Sequence, residues 1–275
     1  MERVEIDGGG WYNSSIMENY FPMEERIVKR IWNVNYLPLL VLISGTVGFF
    51  LRLTLYARYF DGALLPVGHP LELALTALTV LVAVLVVLVC RTLTGPEGYK
   101  DNFTISLRAA LGHILLASGI VLTVLANPPA MAGMTGQLWK MLGVFCGPAL
   151  IYAGFARAMG KKPNFWCYVV VCVFFALHMV SHYRTWCSDP QVQNYVFSLT
   201  GTMALTLFAY QQAAVCVDLG SRRKLLVMGL LAAYLCMAAL AQTQYGYLYL
   251  GGAVWALTGL CRPEPKEVGD SHGAA

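Results

Sequence analysis

The 275-residue chain is 57% hydrophobic and only 12% charged, against roughly 25% charged residues in an ordinary soluble domain. It therefore lacks the polar surface that a water-solvated fold requires, and the charged faces that the outer helices of a soluble bundle carry are missing. The net charge of +4 sits in short Lys/Arg clusters between apolar runs, with no basic stripe interleaved with aromatics, which argues against nucleic acid as a partner.

Residues 1–36 are polar and hold six acids, so a basic n-region followed by an apolar stretch and a small-residue cleavage site is not found, and no cleaved signal peptide is expected. Met23, Ile27, Val28, Ile31 and Trp32 recur at helical spacing after Pro22, a residue favoured at a first helical position. With Glu24 and Glu25 at its start and Lys29 and Arg30 near its end, this stretch predicts a short amphipathic helix lying along the inner membrane surface.

A helix crossing a hydrocarbon layer of about 30 Å needs roughly 20 mainly apolar residues. Eight such runs follow: Leu37 to Tyr56, Leu71 to Cys90, Ser106 to Ala126, Leu138 to Ala156, Phe165 to Tyr183, Tyr195 to Val217, Leu225 to Ala241 and Tyr245 to Cys261. The reading is thus an all-α, polytopic transmembrane bundle: a cytoplasmic segment 1–36, one transmembrane domain 37–261, and a disordered tail 262–275.

Orientation follows from the basic residues, which are retained on the cytoplasmic side. Of the 19 Lys and Arg residues, 15 fall in the N-terminal segment, the second, fourth and sixth loops, and the tail. Only Arg52, Arg58, Lys140 and Arg184 fall on the other side, which predicts cytoplasmic N- and C-termini in a cell membrane. Gly143 and Gly147 form a G-x-x-x-G, a pattern that lets helix backbones approach closely, and Pro148 predicts a kink directly after it.

Catalytic motifs are missing. Gly95 to Lys100 lacks P-loop spacing, no H-E-x-x-H occurs, and no lysine lies deep in a span where a Schiff base could form. Leu116-Ala117-Ser118-Gly119 has leucine where the rhomboid serine motif has glycine, so Ser118 reads as a small residue at a helix contact. The eight cysteines form no C-x-x-C or zinc spacing, and no cofactor is expected.

Ionisable groups inside a membrane are costly and so point to function. His113 lies in the third run, and His178 and His182 lie in the fifth, four residues apart on one helical face. At 1.5 Å per residue, His178 stands ~20 Å and His182 ~26 Å from the inner end of that run, and Arg52 ~23 Å from the start of the first. Asp61, His69, Glu72, Arg184 and Asp189 surround them in the outer loops. Together with Arg52, His178 and His182, these residues are the expected lining of a polar outer vestibule. Two imidazoles at this spacing can share a metal, but only Asp189, His69 or Glu72 could supply a third ligand. The competing reading has Arg52 snorkelling to the headgroups and the histidines bonding to neighbouring helices.

Two stretches, Tyr183-Arg184-Thr185-Trp186-Cys187-Ser188-Asp189-Pro190 and Pro66-Val67-Gly68-His69-Pro70, resemble multi-pass membrane proteins of clostridial-type bacteria that have no defined activity. The resemblance implies a bacterial cytoplasmic membrane and no mechanism. The expected function is binding or passage of a small solute, as a permease or sensor. The lipid bilayer is the expected partner in this reading. The alternatives are a non-catalytic subunit acting through a membrane or cytoplasmic protein partner, and a metal-dependent membrane enzyme.

Overall fold

The computed structural model describes residues 3–6, 10–13, 36–59, 69–91, 99, 103, 105–128, 133–188, 192–241 and 245–260. The chain divides into two units, Met1–Leu37 and Pro38–Ala275. In the first, β1 (Arg3–Ile6) and β2 (Gly10–Asn13) pair antiparallel with Ile6 opposite Gly10 and Arg3 opposite Asn13. This hairpin is absent from the sequence reading. The expected amphipathic helix after Pro22 and the tail 262–275 lie outside the described residues.

The second unit is a bundle of eight α-helices among the described residues: α1 (Leu37–Tyr59), α2 (Pro70–Arg91), α3 (Leu107–Ala126), α4 (Met134–Ala158), α5 (Trp166–Ser188), α6 (Val192–Cys216), α7 (Arg222–Ala239) and α8 (Gly246–Thr258). Each coincides with one apolar run read from the sequence. Ser106 starts α3 by accepting a hydrogen bond from the Ala109 amide at 3.2 Å, an N-cap that satisfies a backbone donor with no helical partner. Helix α4 continues through Pro148 as a single element.

Leu37–Ala57, Pro70–Arg91, Leu107–Ala126, Met134–Ala158 and Trp166–Tyr183 are long and apolar enough to cross a membrane. The last three helices differ for separate reasons. Helix α6 is interrupted by Ser198, Thr200, Thr202, Thr206, Gln211 and Gln212, and α7 opens on Arg222-Arg223-Lys224. Helix α8 has 13 residues and rises only about 20 Å. Protein, more than lipid, surrounds α7 and α8: most of their residues, among them Ala232, Ala233, Cys236, Gly252, Ala253 and Trp255, are buried.

Helices α3 to α8 close a ring in chain order, each packing on the next and α8 returning against α3. Helix α2 joins the ring through α7, where the Thr79 and Tyr234 hydroxyls meet at 2.9 Å. Gly45 of α1 faces Met237 on the same helix. On α2, Leu73, Val80, Leu81 and Leu88 remain exposed, an apolar surface that lipid solvates and water does not. The G-x-x-x-G of α4 meets Val124 and Val121 of α3, as its spacing leads one to expect. Ser118, by contrast, is exposed and donates to Leu115 O of its own helix at 2.9 Å, so it is not a helix contact.

Contacts at the two ends of the ring establish that successive helices alternate in direction. At one end the segment before α3 meets those after α4 and α6. There Asp218 Oδ1 accepts from the Tyr99 amide at 2.8 Å, Asp218 forms an ion pair with Lys162, and the Tyr99 hydroxyl donates to Lys161 O at 3.4 Å. At the other end the start of α4, the end of α5 and the start of α8 come together around the histidine pair.

Candidate functional site

His178 and His182 lie side by side along α5 with ring centroids 4.2 Å apart and planes tilted by 42°, as i, i+4 spacing allows. Both are buried, at 0% and 2% exposure. The Trp139 indole N–H, from the start of α4, donates to His178 Nδ1 at 3.2 Å. Because indole is only a donor, His178 Nδ1 is an acceptor and the proton of its neutral ring sits on Nε2.

His182 carries the opposite tautomer. Its Nδ1 lies 2.8 Å from His178 O, and a carbonyl only accepts, so Nδ1–H is the donor. Nε2 is left to accept from the Tyr245 hydroxyl at 2.5 Å. Ser181 Oγ donates to the same His178 carbonyl at 2.9 Å and lies 3.0 Å from His182 Nδ1. The Tyr245 ring stands edge-on to both imidazoles, and Phe174 and Trp139 stack against His178. The result is a pair of imidazoles enclosed by aromatic faces, with donors and acceptors alternating along it.

The remaining expected vestibule residues divide. Arg52 is 1% exposed and does not reach the headgroups: Nη1 donates to Ala238 O of α7 at 3.1 Å, Nη2 to the Tyr56 hydroxyl at 3.4 Å, and the guanidinium lies 4.9 Å from the Phe197 ring centroid. These contacts join α1 to α7 and α6 and do not involve the histidines. His69 and Glu72 lie at the start of α2, where His69 Nδ1 accepts from the Leu71 amide at 3.2 Å and His69 O accepts from the Glu72 amide at 2.9 Å. Asp61, Asp189 and the Arg184 side chain are outside the described residues. Among the described residues no three His, Cys, Asp or Glu side chains form a metal-binding group.

Trp139 and Tyr245 complete the site and were not read as part of it. Tyr245 carries the signature of an interfacial tyrosine, yet it shares a helix face with Tyr249, and both are buried while Tyr247 between them is exposed. That i, i+4 pair on a short apolar helix was the available signal. Trp139 offered none beyond its place near the start of α4.

A second polar group occupies the opposite end of the ring. His113 Nδ1–H donates to Ala109 O at 2.6 Å and Nε2 accepts from the Tyr168 hydroxyl at 3.0 Å. Gln212 Nε2 donates to Gly259 O at 2.7 Å. Arg157, counted from the sequence as a loop cation, is instead buried at 3% exposure.

At this end Asp218 is held below its ordinary carboxylate value of 3.8, first by the Lys162 ammonium and then by the Tyr99 amide, while burial pushes the Tyr99 phenol up to about 12. Asp218 also sits at φ 58°, a left-handed conformation that aspartate tolerates better than most residues. Because its folded value is the lower one, the stability it contributes is fully present above 3.8 and lost as pH falls through the folded value. Amide exchange at Tyr99, compared with other amides, is expected to accelerate across that acid window. Asp218→Asn keeps an acceptor without a titrating carboxyl and is expected to remove the acid step. An unchanged acid step in that variant would assign it elsewhere.

No protein-family model, curated protein or solved structure matches this chain.

Proposed function

We propose that this chain is a cell-membrane protein with both termini cytoplasmic that binds or passes a small solute through an outward-opening polar vestibule, with the His178–His182 pair at its base. The observation that carries the reading is the pair itself. Polar side chains are expensive inside a membrane, and an apolar pair would pack the same space without polar ring nitrogens to satisfy. The described side chains that touch the pair, Trp139, Phe174, Ser181 and Tyr245, are uncharged, which suits an uncharged solute bearing both donors and acceptors. Entry requires the outer ends of α4 and α8 to part, because Trp139 and Tyr245 close over the imidazoles.

The inner face follows from the basic residues: Lys161, Lys162, Arg223 and Lys224 lie at the end marked by the Asp218 junction, and in a cell membrane that end faces the cytoplasm. A thermal-shift screen of amides, polyols, sugars and amino acids on the purified protein tests the reading. At least one solute is expected to raise the unfolding midpoint, and His182→Gln, which retains an acceptor near Nε2, is expected to weaken that solute at least ~10-fold, as loss of a buried hydrogen-bonding partner does. No stabilising solute, together with a stoichiometric protein partner in the purified material, would instead favour a subunit acting through that partner.

A further inference from the structure

We infer that the inner end of the ring holds a phosphate-type oxyanion on Arg157, at a site separate from the histidine pair. Arg157 closes the last turn of α4, and its guanidinium lies 3.9 Å from the centroid of the Phe103 ring. Its one hydrogen bond among the described residues runs from Nη1 to Gly259 O at 3.5 Å, and no carboxylate among them approaches it. Its Nε is buried without a partner among the described residues, so the Nε/Nη2 edge, the fork that takes an oxyanion through two parallel hydrogen bonds, is unengaged by them.

Two further buried atoms lack partners at the same helix end. Gln212, bonded through Nε2 to the Gly259 carbonyl that Arg157 also reaches, has Oε1 unsatisfied; Trp255, one turn earlier on α8, has Nε1 unsatisfied. Buried polar atoms are rarely left so, and a buried cation calls for an anion.

All three residues bond to Gly259, Arg157 and Gln212 at its carbonyl and Trp255 at its amide. Arg157 and Trp255 supply donors beside a positive charge, and Gln212 supplies an acceptor. The complement is an oxyanion that also carries a hydroxyl: hydrogen phosphate, or the phosphoglycerol headgroup of a lipid. The C-terminal, partially negative ends of α4, α6 and α8 meet here and repel an anion, so only a ligand that engages the guanidinium fork gains from entering.

The full chain in phosphatidylcholine nanodiscs, titrated with inorganic phosphate against chloride at matched ionic strength, tests the free anion. Nanodiscs containing phosphatidylglycerol test the lipid. The unfolding midpoint is expected to rise by about 5 °C or more in one arm once the ligand exceeds its Kd a hundredfold, and that arm identifies the source. Arg157→Lys keeps the charge but loses the fork, and is expected to weaken the response at least ~10-fold. Trp255→Phe removes one donor without emptying the core and is expected to weaken it several-fold, which preserves a readout if Arg157→Lys does not fold. Equal midpoints in phosphate and chloride together with equal midpoints in the two lipids would overturn the inference, as would a response undiminished in either variant.

Discussion

His178→Ala is expected to lower the unfolding free energy of the bundle by about 3–5 kcal/mol, from the cavity left by a fully buried ring and the orphaned partner beside it. The ring packs against Trp139, Phe174, His182 and Tyr245, so its removal opens space that four aromatic neighbours cannot readily close. It also leaves the Trp139 N–H without the acceptor it reaches at 3.2 Å. His178→Asn separates the two contributions, because an asparagine oxygen falls near the Nδ1 position and can keep the indole bonded. It should recover part of the loss, roughly the 1–3 kcal/mol that a buried unsatisfied donor costs. Denaturant unfolding in detergent reads both values. Equal losses for alanine and asparagine would mean that the indole bond contributes nothing and that His178 is held by shape alone.

Gly251→Leu is expected to separate α8 from α3 at a cost of about 3 kcal/mol or more, beyond the 1–3 kcal/mol usual for overpacking. A Cβ on Gly251 would lie 2.7 Å from Leu115 O and 2.9 Å from Leu116 Cα. Both are backbone atoms and neither can rotate away. Gly119 of α3 makes the reciprocal approach to Tyr247 O of α8, so the two backbones touch at both positions. Gly251→Ala should cost within the usual range, while Gly246→Ala, whose Cβ would meet nothing within 4 Å, should be nearly neutral. Thermal unfolding of the three variants gives the order. If Gly251→Leu matches Gly246→Ala, the α3–α8 contact is looser than its geometry states.

Helices that face lipid were legible because lipid imposes both length and composition. Helix α2 occupies Pro70–Arg91 where the sequence indicates Leu71 to Cys90, since every face of it must be apolar. Helix α8 was harder to read because protein surrounds it, and a protein-lined helix needs to fit its neighbours rather than span a fixed thickness. The hairpin at Arg3–Asn13 was missed although Asp7-Gly8-Gly9 is a turn sequence between strand-forming residues.

The candidate site was legible to the extent that it is local. The four-residue spacing of His178 and His182 places them on one face in any α-helix, and their rings lie 4.2 Å apart. Their partners, Trp139 and Tyr245, arrive from helices α4 and α8, and no spacing within α5 could identify them. Arg52 shows the limit of a local reading: only the tertiary fold brings Ala238 O of α7 within its reach at 3.1 Å.

The vestibule is tested most directly by Ser181→Cys, a near-isosteric change beside both histidines. Intact cells and inverted membrane vesicles would be exposed to a membrane-impermeant thiol reagent, with modification located by peptide mass so that the native cysteines are read separately. An outward-opening vestibule predicts labelling at position 181 from outside the cell, none from the cytoplasmic face, and protection by any solute that stabilises the protein. Labelling from the cytoplasmic face alone, or from neither face, would contradict it.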